Sequence, residues 1–203
     1  MNADFKINGK VIETDRLILR AFEQDDLDDF YEYTCVPGVG ERAGWRHHKS
    51  KSESLKILDM FIKENRTFAI CNKNNNKVIG SLGIEKYEQE DQLSELDDLC
   101  GRELGFALSK DYWNKGLMSE AIGAIINYLF NDLDFDFLTA GYFDFNSQSK
   151  RLQEKCGFRP YRKLIFETNM NSKEPGVLNL LLNPKKEIKI NFPSPENLIF
   201  IDI

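Results

Sequence analysis

The stretch that most constrains this chain is RELGFALSKDYWNKGLMSEAIGAIINYLF, residues 102–130. Its opening RELGFALS reads as a strand, a polar turn with the single glycine Gly116 follows, and the rest is a long apolar helix. Met118, Ala121, Ile122, Ile125 and Leu129 form one helical face, which Ile126 and Phe130 widen. A helix this apolar must be covered, as when it packs on a sheet. The next strand is FLTAGYF, Phe137 to Phe143, and a short helix then runs through NSQSKRLQEKCGF with Asn146 or Ser147 as cap and Gly157 as terminator.

Such a strand–turn–helix unit has a chemical consequence. The free N–H groups of a helix start converge on one spot, where the helix dipole favours an anion. From Asn114 through Lys115, Gly116, Leu117 and Met118 to Ser119, successive N–H groups could line a diphosphate, with Gly116 allowing close approach of the backbone. Lys115 adds a mobile positive charge, and Met118 can offer its N–H outward while its side chain packs inward. A glycine turn that merely precedes a core helix explains the same residues. Neither GxxxxGK[ST] nor GxGxxG occurs.

Around this unit, RLILRAF (Arg16 to Phe22) reads as an early strand, and EQDDLDDFYEY as a helix with acids in its first turn and Leu27, Phe30 and Tyr31 on one face. CVPGVGERAGWRHHKS is a Gly/Pro-rich loop. A second helix is expected from Ser52 or Ser54 to Asn65, then strands at TFAIC and VIGSLGIEKY joined by NKNNNK. Glu88 to Cys100 is acidic and reads as a solvated surface loop. Two further strands are expected at Lys163 to Thr168 and Val177 to Leu182, before a proline-containing tail with an apolar finish.

With 203 residues, the chain suits one domain with an appendage. A net charge of −6 argues against broad electrostatic attraction to nucleic acid or an anionic membrane face. The four cysteines form no CxxC pair, and the two histidines are adjacent at His47 and His48, so no metal site is expected. No apolar run reaches the ~20 residues of a membrane span, and MNADFKINGK has no apolar signal segment. A soluble cytoplasmic protein, monomer or homodimer, is expected.

ETDRLILRAF, YWNKGLMSEA and NSQSKRLQEKCGF follow in order, and together they resemble the GNAT (Gcn5-related) N-acetyltransferases. Within that family they resemble the Rim-type subgroup, which acetylates N-terminal alanines of ribosomal proteins. AGWRHHKSKSES is similar to a segment of bacterial members, and the likeness spans about Thr14 to Leu182. The resemblance implies an α/β (α+β) fold with a mixed central sheet of about six to seven strands, splayed in the middle and flanked by about four helices. Residues 1–183 would form the acetyltransferase domain, and 184–203 a C-terminal extension that could add a strand to the body or to a partner chain.

It also implies acetyl-CoA as co-substrate, without a metal. Asn114 to Ser119 would hold the diphosphate. Main-chain groups near Phe106, Ala107 and Leu108 would pair with the pantetheine arm, and Asn146 would bind a pantetheine amide. The family's Q/R-x-x-G-x-G/A signature falls on Trp113 to Met118, so Trp113 and Met118 depart from it.

Acetyl transfer needs a neutral amine, a polarised thioester carbonyl and a proton for the thiolate. Deprotonating an α-amine (pKa ~7.7–8) near pH 7.4 costs under about 1 kcal/mol, against about 4 for a lysine amine. A modest base therefore suffices for a protein N-terminus, and Glu103 on the strand before the motif is the candidate, with a backbone N–H of that strand at the oxyanion. Many relatives place a tyrosine acid where this chain has Gln153, so Ser149 becomes the candidate donor to the leaving sulfur. Trp45, His48 and Glu41 are candidates for binding the acceptor amine. The leading reading is acetylation of a primary amine, foremost a protein N-terminal α-amine. The rivals are a polyamine or antibiotic amine acetyltransferase and a non-catalytic acyl-CoA sensor.

Overall fold

In the computed structural model, which describes residues 2–87, 93–194, 197, 198, 200 and 201, the alternation in RLILRAF becomes a strand with Leu17 and Leu19 wholly buried. The chain divides into two units. One comprises Phe5–Ile84 and Gly105–Ile125, and the other Met1–Asp4, Glu85–Leu104 and Ile126–Ile203.

In the first unit β1 (Ile12–Glu13), β2 (Leu17–Ala21), β3 (Thr67–Asn72) and β4 (Val78–Glu85) follow in order, antiparallel, with Leu19 opposite Ile70 and Phe68 opposite Leu82. The second half of β5 (Gly101–Leu108) lies next to β4. Two helices, α1 (Leu27–Thr34) and α2 (Lys51–Glu64), supply Phe30, Tyr33 and Leu58 to a core that includes Phe22, Ala69, Val78 and Ala107, with Trp45 and Trp113 packed against it. The helix α2 starts before Ser52. Ser50 accepts the Glu53 N–H at 3.2 Å while the Glu53 carboxylate accepts that of Lys49 at 2.7 Å, a reciprocal cap that fixes the start at Lys51. Ser54, expected as a start signal, is buried beside Leu58 on the core side.

The second unit holds the first half of β5, then β6 (Phe137–Phe143), β8 (Lys173–Leu182), β7 (Arg159–Glu167) and β9 (Phe200–Ile201) in that spatial order. Parallel pairing joins Gly101–Glu103 to Phe137–Thr139, β8 runs antiparallel to β6 and β7, and β9 pairs in parallel with β7. The helix α3 (Leu117–Asn127) ends its regular course before Phe130 and widens into a π-helical segment over Tyr128–Asp132. The helix α4 (Ser147–Lys155) follows β6. Tyr87, Leu93, Leu96, Phe137, Tyr161, Leu164, Leu178 and Leu180 form this unit's core.

The acidic stretch therefore differs from a purely solvated loop. Leu93 and Leu96 are fully buried, and Glu95 between them accepts from Tyr161 Oη and Arg162 Nη2. Residues 88–92 of that expectation lie outside the described residues. Among the described residues nine strands form against the six to seven expected: β1 is a two-residue strand with no periodicity to read, and β9 falls in the extension that could add a strand. The mixed α/β class stands, and the helices of eight or more residues are the four foreseen.

Candidate functional site

The turn after β5 is built by its own side chains. Trp113 Nε1 donates to the Leu108 carbonyl at 2.8 Å, and the Ser109 N–H donates to Ile79 on β4 at 2.8 Å. Main-chain groups alternate along a strand. Ser109 and Ala107 thus turn theirs toward β4, where a side chain at Gly80 would collide with the Ala107 carbonyl. Phe106 and Leu108 present theirs to the other edge, and Leu108 has already given its carbonyl to Trp113. Of the three residues expected to pair with an extended ligand, Phe106 turns both main-chain groups to that edge and Leu108 its N–H, while Ala107 faces β4.

Beyond Trp113 the backbone enters the left-handed region twice, at Asn114 (φ 59°) and Gly116 (φ 75°). The loop between is held by Arg16. Its Nη1 donates to the Lys115 carbonyl at 2.9 Å, and its Nε and Nη2 each lie 2.6 Å from Glu120 Oε2 in the first turn of α3. Glu120 Oε1 accepts from Thr14 Oγ1 at 2.5 Å and from the Arg16 N–H at 2.9 Å. Partial burial works to raise the Glu120 pKa, but these hydrogen bonds prevail and hold it below its ordinary value. In a trans peptide the C=O and N–H point in opposite directions. Anchoring the Lys115 carbonyl on Arg16 therefore turns the Gly116 N–H the other way. The Gly116 carbonyl likewise accepts from Ser119 Oγ at 2.9 Å and the Glu120 N–H at 3.1 Å. Helix geometry leaves the N–H groups of Leu117, Met118 and Ser119 without intrahelical carbonyls. Met118 itself is buried, as its side chain requires. Lys115 Nζ stands 5.3 Å over the Tyr112 ring, and the Ser119 hydroxyl is committed to its own helix. The turn and helix start thus present free N–H groups whose orientation Arg16, Glu120 and Thr14 hold, an arrangement that suits an anion. Sequence reasoning missed all three; the charged side chains of TDRLIL and MSEA were its only visible trace.

The other unit gathers Asn146, the N-cap of α4, with Ser149 and Gln153 on that helix. Asn146 Oδ1 caps the Ser149 N–H at 3.2 Å. Gln153 is fully buried: its Nε2 donates to the Gly141 carbonyl at 2.9 Å and to Ser149 Oγ at 3.0 Å, while its Oε1 accepts from Asn179 Nδ2 at 2.8 Å. The residue in the expected acid's place is a structural bridge. Because Ser149 Oγ already accepts from Gln153, its own proton is free to point elsewhere.

Glu103 is half-buried, and its Oε1 lies 3.7 Å from where a Cβ of Gly141 would stand. It pairs in register with Thr139, and Thr139 and Gly141 share a face of β6, opposite the face of Ala140 and its partner Asn179 to which Gln153 binds. Glu103 and Ser149 thus address β6 from opposite faces. Its neighbour Arg102 turns away and donates to the Ala3 carbonyl at 2.6 Å.

The loop between α1 and α2 brings Glu41, Trp45, His47 and His48 together. Glu41 accepts from the Gly38 N–H at 2.6 Å, the His47 N–H at 3.1 Å and His47 Nδ1 at 2.7 Å. Partial burial pushes its pKa up, but the His47 side chain and the loop N–H groups outweigh it and bring it to about 2. His48 is 7 % exposed, with its Nδ1 2.7 Å from Ser54 Oγ and its ring 5.3 Å from that of Trp45. Burial lowers its pKa. Among the described residues no group of three or more His, Cys, Asp or Glu could hold a metal, and no helix is long and apolar enough to cross a membrane.

The acetyltransferase (GNAT) domain model matches residues 16–159. The uncharacterized N-acetyltransferase p20 of Bacillus licheniformis is 28% identical over 157 residues, covering 74% of this chain and 83% of its own. A GNAT-family acetyltransferase of Bacillus anthracis superposes with a TM-score of 0.74 at 22% identity, over 86% of this chain and 99% of its own. The ribosomal-protein-S5-alanine acetyltransferase of Vibrio fischeri does so at 0.64 and 18%, over 89% and 100%. The spermidine N-acetyltransferase of Vibrio cholerae, solved with CoA and spermine, does so at 0.67 and 19%, over 85% and 98%.

Proposed function

Because the chain belongs to the GNAT acetyltransferase family, and is accordingly an acetyl-CoA-dependent N-acetyltransferase, we propose that its acceptor is a protein N-terminal α-amine of the Rim type. The observation that carries the cofactor side of this reading is the Arg16-held cradle, whose N–H groups suit a diphosphate. Asn114 to Ser119 take the diphosphate, the Phe106 main chain pairs with the pantetheine arm, and Asn146 supports its amide. Acetyl-CoA supplies the activated thioester, and the remaining chemistry belongs to side chains of this protein.

In the proposed reaction the neutral amine attacks the thioester carbonyl, a C–N bond forms and the C–S bond breaks. Glu103, on the face of β6 opposite Ser149, accepts the amine proton through water. Ser149 offers its hydroxyl proton to the departing sulfur, since Gln153 occupies the serine oxygen as donor. Trp45, His48 and Glu41 serve the acceptor side, Glu41 chiefly by holding the loop. The α-amine is favoured because a modest carboxylate base deprotonates it at little cost. Similarity to a ribosomal-protein-alanine acetyltransferase supports the same acceptor.

A polyamine acceptor is the second reading, favoured by similarity to a spermidine N-acetyltransferase and by the net charge of −6. Acetyl-CoA turnover measured side by side on Ala- and Ser-starting peptides, a Lys peptide and spermidine separates the two. Turnover confined to spermidine would overturn the N-terminal assignment.

A further inference from the structure

The interior between α1 and α2 contains two hydroxyls that are almost wholly buried, Thr34 at 1% and Ser54 at 0% exposure. They lie in one file with a histidine. Thr34 Oγ1 is 2.8 Å from the Phe30 carbonyl and 3.2 Å from Ser54 Oγ, which is 2.7 Å from His48 Nδ1.

The direction of this file follows from counting protons. A carbonyl only accepts, so the single Thr34 proton goes to Phe30. The contact between the two hydroxyls then needs the Ser54 proton. With that proton spent, Ser54 Oγ accepts from His48, and Nδ1 must carry a hydrogen. The groups packed around the ring are the Phe30 ring and Thr34 from α1, Ser54 from α2, Trp45 and His47 from the loop, and Glu53 from the first turn of α2. Burial disfavours the imidazolium there; Glu53 opposes that effect and His47 adds to it. A neutral imidazole has one N–H. The Nε2 of His48 is therefore a lone pair, and it has no partner among the described residues.

Two buried hydroxyls that bind each other, a histidine and a helix carbonyl bring little net stability over apolar side chains of similar shape. What they do provide is orientation. Trp45, whose ring is tilted 46° to that of His48, packs against the cluster that contains Ala107 of β5 and that Trp113 also packs against. The His48 ring is thus joined through Trp45 to the core cluster against which Trp113 also packs.

We propose that His48 Nε2 is the specificity-determining acceptor for an N–H of the incoming amine, with Thr34 and Ser54 as positioning residues that hold the imidazole in its Nδ1–H form. The proposal rests on the acetyl-transfer reading. A neutral acceptor of this kind receives an N–H from an amine or an ammonium alike and does not repel the positive charge. A compound of the same shape without an N–H or O–H donor forfeits the contact.

With only two histidines in the chain, long-range 1H–15N correlation of the intact protein, assigned with His47→Gln, reads the tautomer directly and without turnover. The expected spectrum places the proton on His48 Nδ1. Adding an Ala-starting tetrapeptide or spermidine is expected to shift Nε2 and leave Nδ1 nearly unmoved. Ser54→Ala and Thr34→Val are expected to mix the tautomers and raise KM for the accepted amine about tenfold, with KM for acetyl-CoA unchanged. A proton found on Nε2 would overturn the proposal. So would a properly folded Ser54→Ala protein with unaltered amine KM, or an Nε2 resonance indifferent to a saturating amine that is being acetylated. A shift of Nε2 on amine addition with no acetylation of any amine would uphold the role of His48 and refute the transfer reading instead.

Discussion

Arg16 and Glu120, 104 residues apart, meet through two guanidinium nitrogens 2.6 Å from one carboxylate oxygen, and Arg16 then spends a third on the Lys115 carbonyl at 2.9 Å. The segment before β2 thereby sets the orientation of the loop before α3. Hydrogen bonds to charged groups contribute about 1.5–3 kcal/mol, less here because the Arg16 side chain is 49% exposed. Arg16→Ala is expected to raise KM for acetyl-CoA about tenfold, roughly 1.4 kcal/mol, with kcat within about twofold. Steady-state kinetics and calorimetric titration with CoA check this; a fall in kcat at unchanged KM would contradict it.

Gly116 tests the cradle from the backbone. A Cβ there would have room, its nearest neighbour being Arg16 Nη2 at 3.6 Å, so Gly116→Ala suffers from the φ of 75° rather than from a clash with the protein. That strain costs about 1–2 kcal/mol of stability. CoA affinity is expected to fall at least about tenfold, since the methyl group would intrude on the proposed diphosphate site. Chemical denaturation and CoA titration of the same protein separate the two losses.

Ser149 and Gln153 touch each other but should respond differently. Ser149→Ala is expected to lower kcat on the order of 10²-fold with KM for acetyl-CoA nearly unchanged, as loss of a proton donor would. Gln153→Leu leaves the Gly141 carbonyl and Asn179 Nδ2 without their bonds in a fully buried place. It should cost about 2–3 kcal/mol in unfolding free energy. Denaturant titration beside kinetics distinguishes the two variants.

Glu103→Gln keeps the shape over Gly141 and removes the proposed base. The expected loss is about 10² in kcat, together with disappearance of the acidic limb of the pH–rate profile. An unchanged profile would transfer the base to another group.

Glu41 predicts a pH window for stability. Its carboxyl titrates at about 2 in the folded protein against an ordinary 4.5. The unfolded chain therefore binds this proton first, so the stabilisation is full above 4.5 and is lost as pH falls toward 2. Relative to Glu41→Gln, the wild type is expected to lose its advantage across that window, as urea unfolding at stepped pH would show.

Much of the fold was legible because local pattern and final environment agree. The period-two run in RLILRAF and the apolar stripe of Met118 to Leu129 demanded burial wherever they lay, and the three motifs in order specified the family. The start of α2 was misplaced because Ser50, Ser52 and Ser54 look alike in sequence. Only the Glu53 carboxylate reaching back to Lys49 selects Ser50.

The candidate site was legible where the backbone does the work and illegible where distant side chains do. Gly116 announced itself by type, since a turn into a helix at positive φ favours glycine. Nothing local to Thr14, Arg16 or Glu120 says that they meet, and nothing in HHKSKSES says that Ser54 rather than solvent faces His48. The sequence by itself determined the elements, the glycine turn and the chemical inventory, because propensity, periodicity and capping act over a few residues. The tertiary structure alone decided which way the Gly116 N–H points, that Ser54 meets Nδ1 of His48 and that Gln153 bridges Gly141, Ser149 and Asn179. Each of these depends on a hydrogen bond that only long-range packing can bring within 3 Å.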